Sequence, residues 1–148
     1  VGEAPGQDED RKGEPFVGRA GQLLTTTLKG FGIERSRVFI GNILKCRPPD
    51  NRTPQPDEMA ACMPWLTQQI ATIKPKLICA LGNIAAQTLL NTKTGITKMR
   101  GKVMGHVQEI PVFPTFHPAY ILRNMSDLPL FAADLQAACK TTGLLPSA

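Results

Sequence analysis

The chain has 148 residues, of which 42% are hydrophobic and 20% are charged, and this is the size of one domain that holds its own hydrophobic core. No stretch approaches the roughly 18 consecutive apolar residues of a membrane span, and residues 1–10 lack the basic and apolar regions of a secretory signal. Seventeen Lys and Arg against twelve Asp and Glu give a net charge of +5, which favours a polyanionic partner. We therefore expect a single cytoplasmic, monomeric domain over residues 1–148 with no membrane partner.

The N-terminal third is predicted to run from a strand through a helix to a second strand. Val1 and Gly2 read as the last residues of a strand whose body is missing, so we expect the chain to lack its N-terminal strand. A helix is predicted over residues 19–31, because apolar side chains recur there at close to 3.6 residues and glycines follow. Residues 37–44, RVFIGNIL, predict a short buried strand that carries the polar Asn42 near its end.

The remaining chain alternates helices and strands. A stripe of apolar residues predicts a helix over residues 56–73, and the apolar segment 76–81 predicts a strand that leads into a helix over 84–90. A further strand is predicted over 110–116, and Ser126 is expected to cap the last helix. This alternation predicts an α/β fold with a parallel sheet covered on both faces, whose functional site lies at the carboxyl ends of the strands.

Two segments that follow predicted strands carry residues typical of a site. GEAPGQDED at residues 2–10 can form a tight loop with carboxylates facing a cavity, although a solvated acidic turn has the same composition. A phosphate-binding loop is not indicated, because neither GxxxxGKS/T nor GxGxxG is present. In HPAYILR, Pro118 holds His117 in an extended conformation that aims the imidazole outward, with a structural histidine as the alternative.

The four cysteines lie in two kinds of context. Cys79 lies in an apolar strand and Cys139 in an alanine-rich helix, so both are predicted to be buried thiols. Cys46 and Cys62 instead flank a proline-rich loop. The wide spacing of the cysteines indicates core residues or metal ligands before it indicates disulfides.

Five motifs in a fixed order give the chain a family resemblance. GEAPG near the start and HPAYILR near the end resemble the uracil-DNA glycosylase superfamily, most closely its iron-sulfur branch, commonly called family 4. The other matching segments are GEPFVGRAGQLL (13–24), NILKCRPPDNRTPQP (42–56) and CMPWL (62–66). The resemblance implies a three-layer α/β/α fold with a central, mostly parallel four-stranded sheet. It also implies removal of uracil from DNA by hydrolysis of the N-glycosidic bond, which leaves an abasic site.

The resemblance assigns the catalytic groups. His117 matches the family histidine whose hydrogen bond to uracil O2 strengthens as the departing base gains negative charge. Glu3 matches the carboxylate of the first loop that helps to position water. The adjoining Ala4, at the uracil-binding loop, stands where well-known relatives outside this branch have an aspartate as water-activating base. The resemblance therefore does not extend to that base.

The resemblance also assigns the residues that hold the uracil. Phe16 matches the aromatic residue that stacks on the flipped-out base, with a core phenylalanine as the alternative. Asn42 matches the asparagine whose amide pairs with the N3 and O4 edge of uracil, and cytosine presents the opposite pattern of donors and acceptors. Asn51 matches a further position linked to activity. Glu9 is expected to guard the face on which thymine carries its methyl group.

DNA contacts are predicted on two further segments. The HPAYILR loop is expected to fill the space that the base vacates, with Tyr120, Ile121 or Leu122 as the wedge. Phosphate contacts are predicted from basic residues, with a merely solvated loop as the alternative: Arg123, Lys93, Lys98, Arg100 and Lys102.

The resemblance implies a 4Fe–4S cluster in the full-length protein. Cys46 and Cys62 match the downstream pair of its four cysteine ligands, whereas the upstream CxxC is not in this chain. We expect truncation to account for the difference, and loss of the cluster in this member is the alternative. No histidine lies between residues 46 and 62, where a sister group bonds covalently to its product, so turnover is expected.

Uracil-containing DNA is therefore the predicted substrate and partner. Two alternatives stay open. One is a noncatalytic DNA-binding module of the same fold within a larger replication or repair protein. The other is a glycosylase for other deaminated bases, hypoxanthine or xanthine.

Overall fold

The computed structural model describes residues 1–45, 47–49 and 53–145. The first part of the chain is helical: α1 (Gln7–Lys12), α2 (Arg19–Gly30) and α3 (Pro56–Ile73). Strand β1 and the elements after it follow in the order β1 (Ile78–Leu81), α4 (Asn83–Leu90), α5 (Ile96–Met99), β2 (Gly105–Val107), β3 (Ile110–Thr115), α6 (Pro118–Arg123) and α7 (Leu128–Thr142). Short 3-10 turns cover Arg35–Arg37 and Met125–Asp127.

The central sheet has three strands in the order β1-β3-β2. Strands β1 and β3 are parallel, with Ile78 opposite Val112 and Leu81 opposite Thr115. Strand β2 is antiparallel to β3. The predicted α/β class is confirmed, but the prediction of four mostly parallel strands is wrong.

Residues 1–3 explain this difference, because they lie between β1 and the segment that was predicted as a second strand. The Leu81 N–H donates to the Val1 carbonyl (2.8 Å), and the Gly2 N–H donates to the Gly41 carbonyl (2.8 Å). The pairing on the second side is reduced to one parallel bridge, between Gly2 and Asn42. The predicted strand over 37–44 therefore becomes a 3-10 turn followed by extended chain that pairs only near its end.

The helices predicted from apolar periodicity are confirmed to within a residue or two at each end. The exception is the start of α7: Ser126 lies in the 3-10 turn, and Asp127 is the residue that precedes the helix. None of the helices within the described ranges is both long and apolar enough to cross a membrane.

The hydrophobic core lies between the sheet and the faces of the longer helices. Among its buried members are side chains of α2, α3, β1, β3 and α7: Leu24, Leu28, Leu66, Ile70, Ile78, Ala80, Val112, Phe131 and Leu135. Each fully buried large side chain stabilises the fold by roughly 1.5–3 kcal/mol. An apolar cavity of about 550 Å³ lies within this layer, bordered by Val1, Ile40, Ile70 and Ile78.

Candidate active site

The acidic loop is held to the start of α2 by the carboxylate of Glu9. This carboxylate accepts hydrogen bonds from the backbone N–H groups of Gly6 (3.1 Å), Val17 (2.8 Å) and Gly18 (2.5 Å). Burial raises the pKa of Glu9, but the three N–H groups outweigh burial and leave that pKa below its ordinary value. Glu9 is therefore an ionised clamp of the loop, and its expected role near the thymine methyl position stays a prediction.

Gly2 is the point at which Phe16 and Asn42 meet. A Cβ atom at Gly2 would overlap the tip of the Phe16 ring and would lie 2.5 Å from Asn42 Oδ1. Only glycine leaves room for both side chains to approach the backbone at this position. The short segment 1–3, which pairs with β1 on one side, thus places the predicted stacking residue beside the predicted base-reading residue.

Asn42 has a buried amide whose oxygen finds no partner in the described part of the chain. The residue is 5% exposed, and no described residue gives its Oδ1 a hydrogen bond. Its backbone is fixed by Lys45, whose Nζ donates to the Asn42 carbonyl (2.8 Å) and to Gln69 Oε1 (2.8 Å). A buried acceptor without a donor costs about 1–3 kcal/mol, so it points to a ligand that supplies the donor.

A cavity of about 340 Å³ opens beside Asn42. Glu9, Pro5 and Pro15 also line it, so it joins the acidic loop to the Asn42 segment. His117 and Phe16 are not among its lining residues. The Phe16 ring approaches Asn42 at Gly2, and His117 lies against that same ring.

His117 follows β3 and faces the ring of Phe16. The two ring centroids are 5.7 Å apart, with 32° between the planes. His117 Nδ1 accepts a hydrogen bond from the Ala119 backbone N–H (3.0 Å) at the start of α6. Because Nδ1 is an acceptor, the neutral imidazole carries its proton on Nε2 and can donate it to a ligand.

The surroundings of His117 favour this neutral form. Burial lowers the pKa of His117 to about 4, and the positive charge of Arg123 acts in the same direction, while Glu9 opposes it. Gly82, with φ of +93°, makes the close approach possible: a Cβ atom there would lie 2.9 Å from His117 Cβ. At neutral pH the site therefore presents an uncharged hydrogen-bond donor.

Glu3 and Ala4 directly follow Gly2 on the first loop. Both are half-buried, and the Glu3 carbonyl accepts a hydrogen bond from the Leu44 N–H (2.9 Å), which ties the loop to the Asn42 segment. Burial raises the pKa of Glu3. The structure places Glu3 and Ala4 near the site through the backbone, and their predicted roles stay predictions.

Helix α6 narrows the choice among the three wedge candidates. Tyr120 stacks on Phe116 with centroids 5.0 Å apart, and its hydroxyl donates to Asp127 Oδ2 (2.5 Å). Ile121 is fully buried. Leu122 is half-exposed and has no such commitment among the contacts described, so it is the candidate best able to enter DNA.

The structure gives Arg100 a different role from the predicted phosphate contact. Its Nε and one terminal nitrogen donate to the two carboxylate oxygens of Asp134, at 2.9 and 2.6 Å. The Thr115 hydroxyl also donates to this buried carboxylate (2.6 Å). Lys98 and Arg123, by contrast, are exposed.

The predicted cluster ligands are only partly described. Cys62 lies half-buried on α3, whereas Cys46, like Asn51, lies outside the described residues. Over 1–45, 47–49 and 53–145 no group of three or more His, Cys, Asp or Glu side chains could hold a metal ion. The described part therefore does not supply a ligand set for a 4Fe–4S cluster.

The other two cysteines behave as thiols of the interior. Cys139 is buried, and Cys79 borders the apolar cavity beside β1. Burial raises the pKa of Cys79 to about 11 and also raises that of Cys139. Both thiols therefore stay protonated at neutral pH.

The fold brings together the loop that follows Val1, the Asn42 amide and the imidazole after β3, and comparison with known proteins shows the family. Residues 1–140 match the family model described as the uracil DNA glycosylase superfamily. The chain belongs to this superfamily.

Within that family the chain is similar to type-4 enzymes. It is 52% identical over 128 residues to the type-4 uracil-DNA glycosylase of Thermotoga maritima, covering 86% of this chain and 67% of the relative. It is 50% identical over 132 residues to the type-4 enzyme of Sulfurisphaera tokodaii, covering 84% of this chain and 60% of the relative. The chain thus spans 60–67% of the length of these two relatives.

A third relative is a much larger protein. The chain is 34% identical over 137 residues to a DNA polymerase of Bacillus phage SP01, covering 92% of this chain but 15% of the polymerase. A segment similar to this chain therefore also occurs as a small part of a DNA polymerase.

Proposed function

We propose that this chain hydrolyses the N-glycosidic bond of deoxyuridine in DNA, releasing uracil and leaving an abasic site. The observation that carries the proposal is the buried Oδ1 of Asn42, which has no hydrogen-bond partner among the described residues and lies beside the Phe16 ring; this ring in turn faces His117. Membership of the superfamily supports the same reaction.

The base must leave the helix to reach this site, and three side chains are suited to receive it. Phe16 provides a face for stacking. Asn42 Oδ1 can accept from uracil N3–H while its amide nitrogen donates to O4. Cytosine offers an acceptor at N3 and a donor at C4, so it would leave both amide groups without bonds, at a cost of about 1–3 kcal/mol for each.

Bond cleavage moves negative charge onto the departing uracil, and His117 is suited to stabilise it. The neutral ring donates from Nε2 towards uracil O2, and this bond strengthens as the oxygen gains charge. A neutral donor is effective here because burial holds the pKa of His117 at about 4. We assign Glu3 the placing of the attacking water, because its carboxylate lies on the loop tied to the Asn42 segment.

Release of labelled uracil from an oligonucleotide tests the reaction directly. We expect release by the wild-type chain and a loss of about 100-fold or more in His117→Ala, the typical cost of removing a donor to a developing oxyanion. The matched control is His106→Ala, which changes the exposed second histidine. Full activity in His117→Ala would refute the role of His117.

Base selection is tested with Asn42→Ala. We expect this variant to lose its preference for uracil over cytosine, because the bonds that distinguish these two bases are gone. An unchanged preference would remove Asn42 from base recognition.

A second candidate function is a DNA-binding module without catalysis, and the phage polymerase relative is the observation that favours it. Binding of uracil-containing DNA without release of uracil, by a folded wild-type chain, would support this alternative and contradict the hydrolase.

For DNA binding we propose that Leu122 is the wedge and that Lys98, Lys102 and Arg123 contact phosphates, since all three basic residues are exposed. Leu122→Ala should slow uracil release more from double-stranded than from single-stranded DNA. Equal slowing on both substrates would contradict the wedge role.

We further propose that Cys46 and Cys62 are two of four ligands of a 4Fe–4S cluster in the full-length protein. The support is the motif resemblance and the similarity to type-4 enzymes. Iron and acid-labile sulfide in the natural full-length protein should be lost in Cys62→Ala and kept in Cys79→Ala. Equal iron in both variants would overturn the assignment of Cys62.

A further inference from the structure

We propose that Arg35 is a positioning residue that fixes the Phe16 ring for base stacking. This inference rests on the proposed function for its catalytic consequence, whereas its structural part stands on the contacts around Phe16. Arg35 lies in the 3-10 turn after α2, and its guanidinium reaches back to the loop that precedes that helix.

The backbone at Phe16 adopts a conformation that it would not keep by itself. Its φ is +53°, in the left-handed region, although the residue is not glycine. Such a conformation is unfavourable for a bulky residue and persists only where surrounding contacts hold it. The contacts that hold Phe16 therefore also decide where its ring points.

Arg35 supplies those contacts on one side. One terminal nitrogen donates to the Phe16 carbonyl (2.5 Å) and to the Thr25 hydroxyl (3.2 Å), and the other donates to the Pro15 carbonyl. The planar guanidinium thus bonds two consecutive carbonyls at once. The torsion angles at Phe16 set how these two carbonyls are oriented relative to each other. A guanidinium that bonds both carbonyls therefore favours the left-handed backbone at Phe16.

Gly21 supplies the support on the other side. A Cβ atom at Gly21 would overlap the carbonyl of Phe16, so this carbonyl lies directly against α2. Arg35 and Gly21 together leave the carbonyl no room to rotate.

The orientation of the ring matters because three parts of the site depend on it. The ring packs against Gly2 next to Asn42 Oδ1, and its centroid is 5.7 Å from that of His117. Without Arg35, Phe16 can relax towards negative φ, and the ring then leaves both neighbours. A displacement of about 1 Å in a group that orients substrate can cost roughly 100-fold in rate.

Proton NMR of the histidine side chains tests the structural part without any activity. The chain has two histidines, and only His117 lies against Phe16, so its ring protons report the ring current of Phe16. We expect Arg35→Ala to shift the His117 resonances and to leave those of His106 in place. Arg37→Ala, which changes an exposed residue of the same turn, is the matched control and should shift neither.

Arg35→Lys is the second variant, which keeps the proposal testable if Arg35→Ala does not fold. Lysine keeps the charge but cannot bond both carbonyls in a fixed fork, so we expect a smaller shift in the same direction. Unchanged His117 resonances in a folded Arg35→Ala or Arg35→Lys protein would overturn the proposal.

A double-mutant cycle tests the catalytic consequence. Arg35→Ala should lower kcat/KM for uracil release by about 10- to 100-fold in the wild type, and by less than about 2-fold in Phe16→Ala, because Arg35 acts through the ring. Equal losses in both backgrounds would show a general structural role and contradict the proposal. If the wild type releases no uracil, the proposed function fails, while the NMR result still decides whether Arg35 sets the ring.

Discussion

His117 illustrates how burial converts an ordinary histidine into a neutral donor. The Ala119 N–H occupies Nδ1, and burial lowers the pKa of the ring to about 4. The same burial has a thermodynamic cost that depends on pH. In an unfolded chain a histidine has a pKa of about 6.5. Between these two pKa values the unfolded chain binds more protons than the folded protein, so the free energy of unfolding falls as the pH is lowered from 6.5 towards 4.

We expect the wild type to lose on the order of 2–3 kcal/mol of stability from this group between pH 7 and pH 4.5. His117→Gln removes the titrating group and should show a correspondingly smaller loss. Urea unfolding at the two pH values measures it, with the exposed His106→Gln as control. A loss in His117→Gln as large as in the wild type would contradict the low pKa of His117.

At the scale of elements, the pair formed by Arg100 and Asp134 joins the chain after α5 to α7. The Asp134 side chain is 4% exposed, and it is bonded both by Arg100 and by Thr115 of β3. Through these bonds Asp134 holds α7 against β3 and against the end of α5. A buried carboxylate left without its cation is costly, because its charge has neither water nor a partner.

Arg100→Ala is expected to lower the free energy of unfolding by about 3 kcal/mol, since it leaves the Asp134 charge uncompensated in the interior. Lys98→Ala, at an exposed position in α5, should stay within about 0.5 kcal/mol of the wild type. Denaturant unfolding monitored by circular dichroism compares them. Similar stabilities of the two variants would show that the ion pair does not hold α7.

At the scale of the whole molecule, the net charge of +5 favours binding to DNA, but not every basic residue is free to contact phosphate. Exposed Lys98, Lys102 and Arg123 belong to the segments that flank β2 and end α6, whereas Arg100 between them is internally paired. The salt dependence of the DNA affinity should therefore come from the exposed basic residues and not from Arg100.

Removing one phosphate contact, in Lys98→Ala or Arg123→Ala, is expected to reduce the slope of log K against log salt concentration by about 0.7, the value for single-stranded DNA. Binding to single-stranded DNA without uracil, measured by fluorescence anisotropy at several salt concentrations, gives this slope without turnover. Lys140→Ala, at an exposed position on α7, is the control with equal charge. If the wild type and all three variants have the same slope, neither Lys98 nor Arg123 contacts a phosphate.

Much of the local structure could be predicted from the sequence, because it depends on residues close together in the chain. The apolar stripe of Pro56–Ile73 predicts α3 residue for residue, and the segments around Ile78 and Val112 predict the parallel pair of strands. The segment over 37–44 was mistaken for a full strand. Its apolar residues favour a strand, but how many of them pair depends on the chain beside them, here residues 1–3.

The sequence alone determined which chemical groups this protein has and which family they belong to, since motifs and periodicity are properties of neighbouring residues. Only the tertiary structure decided which of these groups meet. It brought Asn42, Phe16 and His117 around Gly2, paired Arg100 with Asp134, and joined Arg35 to the strained backbone of Phe16. Contacts of this kind join residues far apart in the chain, and their energies depend on the packing of the whole fold, so no local pattern encodes them.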